Sequence, residues 1–152
     1  IASTDGTMLP MTLYYNKKTL SDLTKKPASP LPVYLYAYGG FGNIESSGHE
    51  NDAFFWVNNV RGIYAVAHIR GGGEKGLSWM KQGIFPNRLN GVEDVIAAAE
   101  YLQAMGYTDV KHTAIEGTSN GGMLMAAVVN RRPDLFGAVI SKVPVTDMLR
   151  FQ

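Results

Sequence analysis

The sequence predicts an α/β fold, with a mostly parallel sheet, helices on both faces and a hairpin at the N-terminal end. Three observations carry this. Short apolar runs stop at glycine clusters, later segments switch to helical periodicity, and the order runs strand, helix, strand, helix, strand. At 152 residues, 45% apolar and 18% charged, the chain is one domain's worth with enough apolar residues for a buried core.

The elements follow in order. Thr4-Asp5-Gly6-Thr7 is a turn signal, and Met11-Thr12-Leu13-Tyr14-Tyr15 reads as the second arm of a hairpin. Residues 16–32 are polar and broken by Pro27, Pro30 and Pro32, which reads as an exposed loop. Val33-Tyr34-Leu35-Tyr36-Ala37-Tyr38 is continuously apolar and aromatic up to Gly39-Gly40, which suits a strand covered on both faces. Ile63-Tyr64-Ala65-Val66-Ala67-His68-Ile69 repeats that pattern up to Gly71-Gly72-Gly73. Between the two, Ala53-Phe54-Phe55-Trp56-Val57 is compatible with a helix. From Asn90 onward Val92, Val95, Ile96, Ala99 and Leu102 share one helical face, with Asn90 and Glu93 expected to cap its start and Gly106 its end. Thr113-Ala114-Ile115-Glu116 reads as a strand, residues 121–131 as a small-residue helix stopped by Pro133, and Ala138-Val139-Ile140-Ser141 as a final strand. In such a sheet the loops at the carboxyl ends of the strands carry the chemistry.

Composition excludes several functions. Lys+Arg 14 against Asp+Glu 13 leaves a formal charge of +1, so no basic excess is present to hold nucleic acid or an anionic membrane, and neither partner is expected. The absence of Cys removes disulfide scaffolds, Cys-based metal sites and thiol nucleophiles. No run approaches the roughly 18 apolar residues of a membrane span. The opening Ile1-Ala2-Ser3-Thr4-Asp5-Gly6 has no signal-peptide layout, so a cytoplasmic location is expected. Gly40-Phe41-Gly42-Asn43-Ile44-Glu45 lacks the third glycine of a dinucleotide fingerprint, and no Gly-Lys-Ser/Thr follows a glycine-rich loop. Neither a cofactor nor a metal is expected.

Gly117-Thr118-Ser119-Asn120-Gly121-Gly122 lies between a predicted strand and a predicted helix, the context of a G-x-S-x-G nucleophile elbow. A serine is a poor nucleophile in water and must be held beside a base and beside oxyanion donors. A sharp turn does this by forcing Ser119 into a strained conformation, and Gly117 and Gly121 relieve the crowding that results. The amide of Asn120 then faces the developing oxyanion, with the helix N-terminus behind it. The plainer alternative is a tight turn rich in turn formers. An elbow of the alpha/beta-hydrolase type also needs an acid and a histidine after the serine. His49, His68 and His112 all precede it, and His68 and His112 read as core or rim residues at strand ends. Asp147 follows the last strand, where some such hydrolases keep the acid, although loop aspartates commonly serve as caps. The expectation is therefore a partial alpha/beta-hydrolase domain over residues 1–152, with acid and histidine supplied by sequence not present here, or a chain that is not active.

Several separated motifs, taken together, resemble the prolyl oligopeptidase family of serine peptidases. They are Asp5-Gly6-Thr7, Tyr36-Ala37-Tyr38-Gly39-Gly40-Phe41, Ile69-Arg70-Gly71-Gly72-Gly73-Glu74, Ala98-Ala99-Glu100-Tyr101-Leu102, Ser119-Asn120-Gly121-Gly122 and Arg132-Pro133-Asp134-Leu135-Phe136-Gly137. The resemblance covers almost the whole chain and leans toward the proline-specific branch, through Asn120 and Tyr38-Gly39-Gly40-Phe41. It implies a serine endopeptidase acting on short proline-containing peptides through an acyl-enzyme. Ser119 would be the nucleophile, the Tyr38 hydroxyl and the Asn120 amide the oxyanion hole, and Phe41 a wall of the proline pocket. A buried loop aromatic is the alternative for Phe41. Arg70 and Glu74 read as a clamp on the glycine loop. The family's beta-propeller lid and the rest of its catalytic domain would lie outside these residues. Three departures stand out: Thr118 occupies a position usually held by Gly, the stretch from Asn43 to Asp52 fits poorly, and Val143-Pro144-Val145 replaces a glycine-containing version. An esterase or acyl hydrolase, a macrocyclising transpeptidase, and an inactive fragment or binding module are the competing readings.

Overall fold

A computed structural model describes residues 1–45 and 51–150. Five strands form one mixed sheet: β1 (Met11–Tyr14), β2 (Val33–Tyr36), β3 (Ile63–Ala67), β4 (Thr113–Thr118) and β5 (Ala138–Lys142), in spatial order β1-β3-β2-β4-β5. The four strands β2 to β5 are mutually parallel, and β1 runs antiparallel along the edge of β3. The helices are α1 (Asn51–Phe55), continued by a π-helical turn Trp56–Val60, then α2 (Leu77–Lys81), α3 (Leu89–Ala104) and α4 (Asn120–Arg131). Among the described residues no helix is long and apolar enough to cross a membrane.

Period-2 alternation in the strands divides the core between the two faces of the sheet. Val33, Leu35 and Ala37 of the second strand segment, with Ala65, Ala67 and Ile115, point to the face covered by α3 and α4. The predicted stripe on α3 is buried there, and Val95, Ala99 and Leu102 meet Met125 and Val128 of α4, all at 0% exposure. The Val, Leu and Met side chains among these each contribute about 1.5–3 kcal/mol. Tyr34, Tyr36, Tyr64 and Val66 point to the opposite face, where Ala53, Trp56 and Val57 cover them. The Tyr34 and Tyr64 rings stack at 5.4 Å, and Trp56 meets Tyr34 edge-on at 5.1 Å while donating its Nε1–H to the Pro32 carbonyl. Helices therefore cover both faces, as the alternating pattern predicts.

Two local expectations need correction. The turn at residues 4–7 closes a hairpin on the bridge Ala2↔Met8, but its second arm is not Met11-Tyr15: β1 pairs with β3, Met11 opposite Ala67. A neighbouring edge strand offers four residues a longer ladder than two short arms can give each other. Helix α3 starts at Leu89, so Asn90 is inside it rather than its cap, and the Asn90 side chain donates instead to the Gln82 carbonyl. The far end follows the expectation. Gly106 adopts φ +72°, and the N–H groups of Gly106 and Tyr107 donate back to Gln103 and Leu102.

Arg70, 2% exposed, ties the N-terminal turn to the sheet. Its Nε and Nη2 donate to Asp94 at 2.9 and 2.5 Å, Nη1 reaches Asp5 at 2.5 Å, and Ser3 donates to the same Asp94 at 2.6 Å. The clamp expected of Arg70 is thus on the N-terminal turn and α3 rather than on the glycine loop, because the buried Asp94 and the rim Asp5 offer its guanidinium carboxylates. The backbone N–H of Thr7 and the Arg70 guanidinium hold the Asp5 carboxyl at about 2, below its ordinary value of 3.8. A carboxylate favoured in the folded state stabilises fully above about pH 4, and that contribution is lost as pH falls toward 2. Urea unfolding of the Asp5→Asn variant should accordingly show a deficit against the parent sequence at pH 6 that shrinks between pH 4 and 2.

Candidate active site

Strand order places the crevice. The connection from β2 leaves toward the face of α1, whereas the connection from β4 enters α4 on the other face, so the carboxyl ends of these adjacent parallel strands open a gap between them. Tyr38 and Ser119 sit at those two ends.

Ser119 has φ 55° and ψ −110°, a conformation that a non-glycine residue adopts only under constraint. Two bonds and a strand pairing impose it. Its N–H donates to the Lys142 carbonyl at 2.9 Å, its own carbonyl accepts from Met123 in the first turn of α4, and Thr118 remains in register with Lys142 as the last residue of β4. The two flanking glycines make the bend sterically feasible. A Cβ on Gly117 would stand 2.3 Å from the Gly121 carbonyl oxygen, and one on Gly121 would stand 2.8 Å from the Ala37 carbonyl oxygen. Thr118, where a glycine was the resemblance's norm, is extended strand, and its β-branch suits that conformation.

Ser119 and Tyr38 are both half-buried, and neither hydroxyl makes a hydrogen bond among the described residues. The Tyr38 ring lies against the start of α4, its Cδ2 3.5 Å from where a Gly121 Cβ would be. As the first residue of α4, Asn120 has an N–H without an intrahelical acceptor, aimed out of a helix N-terminus that favours negative charge. The three residues singled out from the sequence are thus brought to one place. Phe41 is on the loop after β2, with φ 56° and 75% exposure, so the alternative of a buried loop aromatic is wrong. The loop that carries the exposed ring is tied down next to it, where the Gly42 N–H donates to the Gly71 carbonyl in the glycine-rich loop after β3.

The two described histidines are elsewhere. His68 is buried beside β1, with Nε2 2.8 Å from the Thr12 hydroxyl and Nδ1 3.5 Å from Glu74, whose Oε1 accepts from the Glu45 N–H and so clamps the Phe41 loop. His112 precedes β4 and pairs with Asp109 at 2.6 Å, a strand's length of about 20 Å from the elbow. His49 lies outside the described residues. Asp147 pairs with Arg150 at the surface, 3.4 Å away.

Sequence reasoning missed two groups at the site. The Asn120 side chain donates Nδ2–H to the Tyr38 carbonyl at 2.7 Å, and its Oδ1 accepts from Arg88 at 2.6 Å. Arg88 also donates to the Gly39 and Gly83 carbonyls at 2.8 and 3.3 Å. Burial lowers the Arg88 pKa from its ordinary value, an effect partly offset by the Tyr38 phenol. A signal was available: Arg88 begins a helix, the end where a cation is electrostatically misplaced.

Among the described residues no cluster of His, Asp or Glu could hold a metal. Residues 50–152 match the model of the prolyl oligopeptidase family. A prolyl endopeptidase of Dictyostelium discoideum is 43% identical over 147 residues, 97% of this chain and 19% of that protein. The solved structure of a post-proline cleaving enzyme from Rickettsia typhi superposes with a TM-score of 0.89 at 36% identity, over 99% of this chain and 21% of its own. Prolyl oligopeptidase B from Galerina marginata, bound to a 35mer hydrolysis and macrocyclization substrate, gives a TM-score of 0.89 at 34% identity, over 99% and 20%. The chain spans about a fifth of the length of these relatives.

Proposed function

The chain belongs to the prolyl oligopeptidase family, and we propose that residues 1–152 are the serine-bearing part of a peptidase's alpha/beta-hydrolase domain, in a protein that cleaves short peptides after proline. The observation that carries this reading is the strained Ser119 at the tip of β4, followed by a helix whose first turn packs against the Tyr38 ring at Gly121. Ser119 Oγ attacks the carbonyl carbon of the proline residue, and its proton passes to a histidine supplied by sequence beyond this chain, which returns it to the leaving amine. The oxyanion that forms accepts from the Tyr38 hydroxyl and the Asn120 N–H, donors already fixed before the charge develops. Collapse expels the amine and leaves an acyl-enzyme on Ser119, which water then hydrolyses. Phe41 supplies an apolar wall for the proline ring.

The relatives' names support proline specificity over a general esterase. A peptide amine can also resolve the same acyl-enzyme, and the Galerina substrate description, naming both hydrolysis and macrocyclization, favours keeping that outcome in the test. The full-length protein should be modified at Ser119 by a fluorophosphonate probe and should hydrolyse a proline-containing peptide amide in preference to a simple ester. Mass analysis of the products separates linear from cyclic outcomes. Absence of the label on Ser119 would overturn the proposal. The 152 residues alone should show no Ser119-dependent turnover, because neither His68 nor His112 reaches the elbow.

A further inference from the structure

The geometry points to Arg88 as a positioning residue for this site, one that acts through the Asn120 carboxamide to fix Tyr38 against the Ser119 turn. The inference rests on the peptidase reading above and deepens it. Two donors carried by different elements, the Tyr38 hydroxyl after β2 and the Asn120 N–H at the start of α4, must keep one separation to serve one oxyanion. The backbone ladder between β2 and β4 ends at the Ala37 N–H, which donates to the Glu116 carbonyl, and among the described residues the bonds beyond it between these two loops come from side chains. Asn120 spans the gap by donating to the Tyr38 carbonyl, and Arg88 holds the carboxamide in that orientation by donating to its Oδ1, with its other arm on the Gly39 carbonyl next to Tyr38.

Two independent features fit this role. First, Arg88 stands at the N-cap of the 16-residue α3, in helical conformation, with no side-chain cap bond and no acidic residue in the first turn. A cation at that end opposes the helix dipole, so local structure gives no reason for it. Among the described residues its partners are two carbonyls and the Asn120 amide oxygen, and no carboxylate neutralises it. Second, the space for the carboxamide is reserved. A Cβ on Gly40 would stand 2.3 Å from Asn120 Nδ2, so the loop after β2 is shaped around this side chain. Arg's planar fork, with separate donors for the carbonyls and for Oδ1, suits the arrangement in a way a single ammonium does not.

The test uses the full-length protein, with probe labelling of Ser119, kcat and KM on a proline-containing peptide amide, and thermal midpoints. Arg88→Met should lower kcat about 30-fold with KM changed less than threefold, since misplacing a donor by a fraction of an ångström weakens the transition state and not peptide binding. Arg88→Lys should recover part of that loss. Asn120→Ala, which keeps the backbone donor, should lower kcat to a similar extent, and the double variant should lose little more than either single one. Failure of the wild-type protein to label at Ser119 sinks the peptidase reading itself. Normal labelling with an unchanged kcat for Arg88→Met, or additive losses in the double variant, overturns the positioning role alone. If Arg88→Met does not fold, the Asn120→Ala and Arg88→Lys variants still decide: unchanged kcat in both overturns the proposal.

Discussion

Ser119→Ala in the full-length protein is expected to abolish peptide turnover, by on the order of 10⁵-fold or more, because a nucleophile and its base act as a unit and losing one loses nearly all of it. The unfolding midpoint should barely move. Ser119 makes its structural contacts through its backbone, which donates to Lys142 and accepts from Met123, and alanine keeps both bonds at the same cost in strain. The pairing of lost activity with retained stability is what distinguishes a nucleophile from a residue that merely shapes the turn. Turnover by Ser119→Ala within tenfold of the natural sequence would remove the proposed chemistry altogether.

Asp94→Ala carries the largest expected effect on stability, a loss of about 3–5 kcal/mol, measured as a lower midpoint in urea or guanidinium. Asp94 is fully buried and accepts from the Arg70 side chain, the Arg70 N–H and the Ser3 hydroxyl. Removing it strands a guanidinium that is 2% exposed, with Asp5 at the rim as its remaining carboxylate partner. Replacing both partners by apolar residues, Arg70→Met with Asp94→Leu, should recover part of the loss because no charge is then left buried. Recovery should stay incomplete, since the Arg70 N–H still lacks its acceptor. A single Asp94→Ala variant as stable as the parent would show that the clamp contributes nothing.

Much of this fold is legible because the physics that sets it is local. The apolar runs at 33–38 and 63–69 stop where the strands hand over to glycine loops, and Val92, Val95, Ile96, Ala99 and Leu102 mark the buried face of α3 one residue at a time. The elbow is legible for the same reason, since the two glycines that relieve Ser119 are two residues away on either side. What escapes notice is decided between distant segments. The partner of β1 is set by an open edge on β3 some fifty residues away, and no feature of residues 1–15 announces it. Asn90 looks like a cap until Gln82 offers its side chain a carbonyl. The Arg88–Asn120 bridge links positions 32 residues apart and appears in the sequence only as a cation in an unfavourable place.

The bond from the Ser119 N–H to the Lys142 carbonyl has a temporal implication for the ribosome. Strand β2 is synthesised about 80 residues before β4 is complete, and it has neighbours on both edges in the finished sheet. At roughly 5–20 residues per second, one of its edges stays open for about 4–16 s of translation. The bend at Ser119 cannot lock until the last residue of β5 has also emerged. The nascent polypeptide therefore matures its reactive hydroxyl late, after most of the scaffold that will restrain it has already been made.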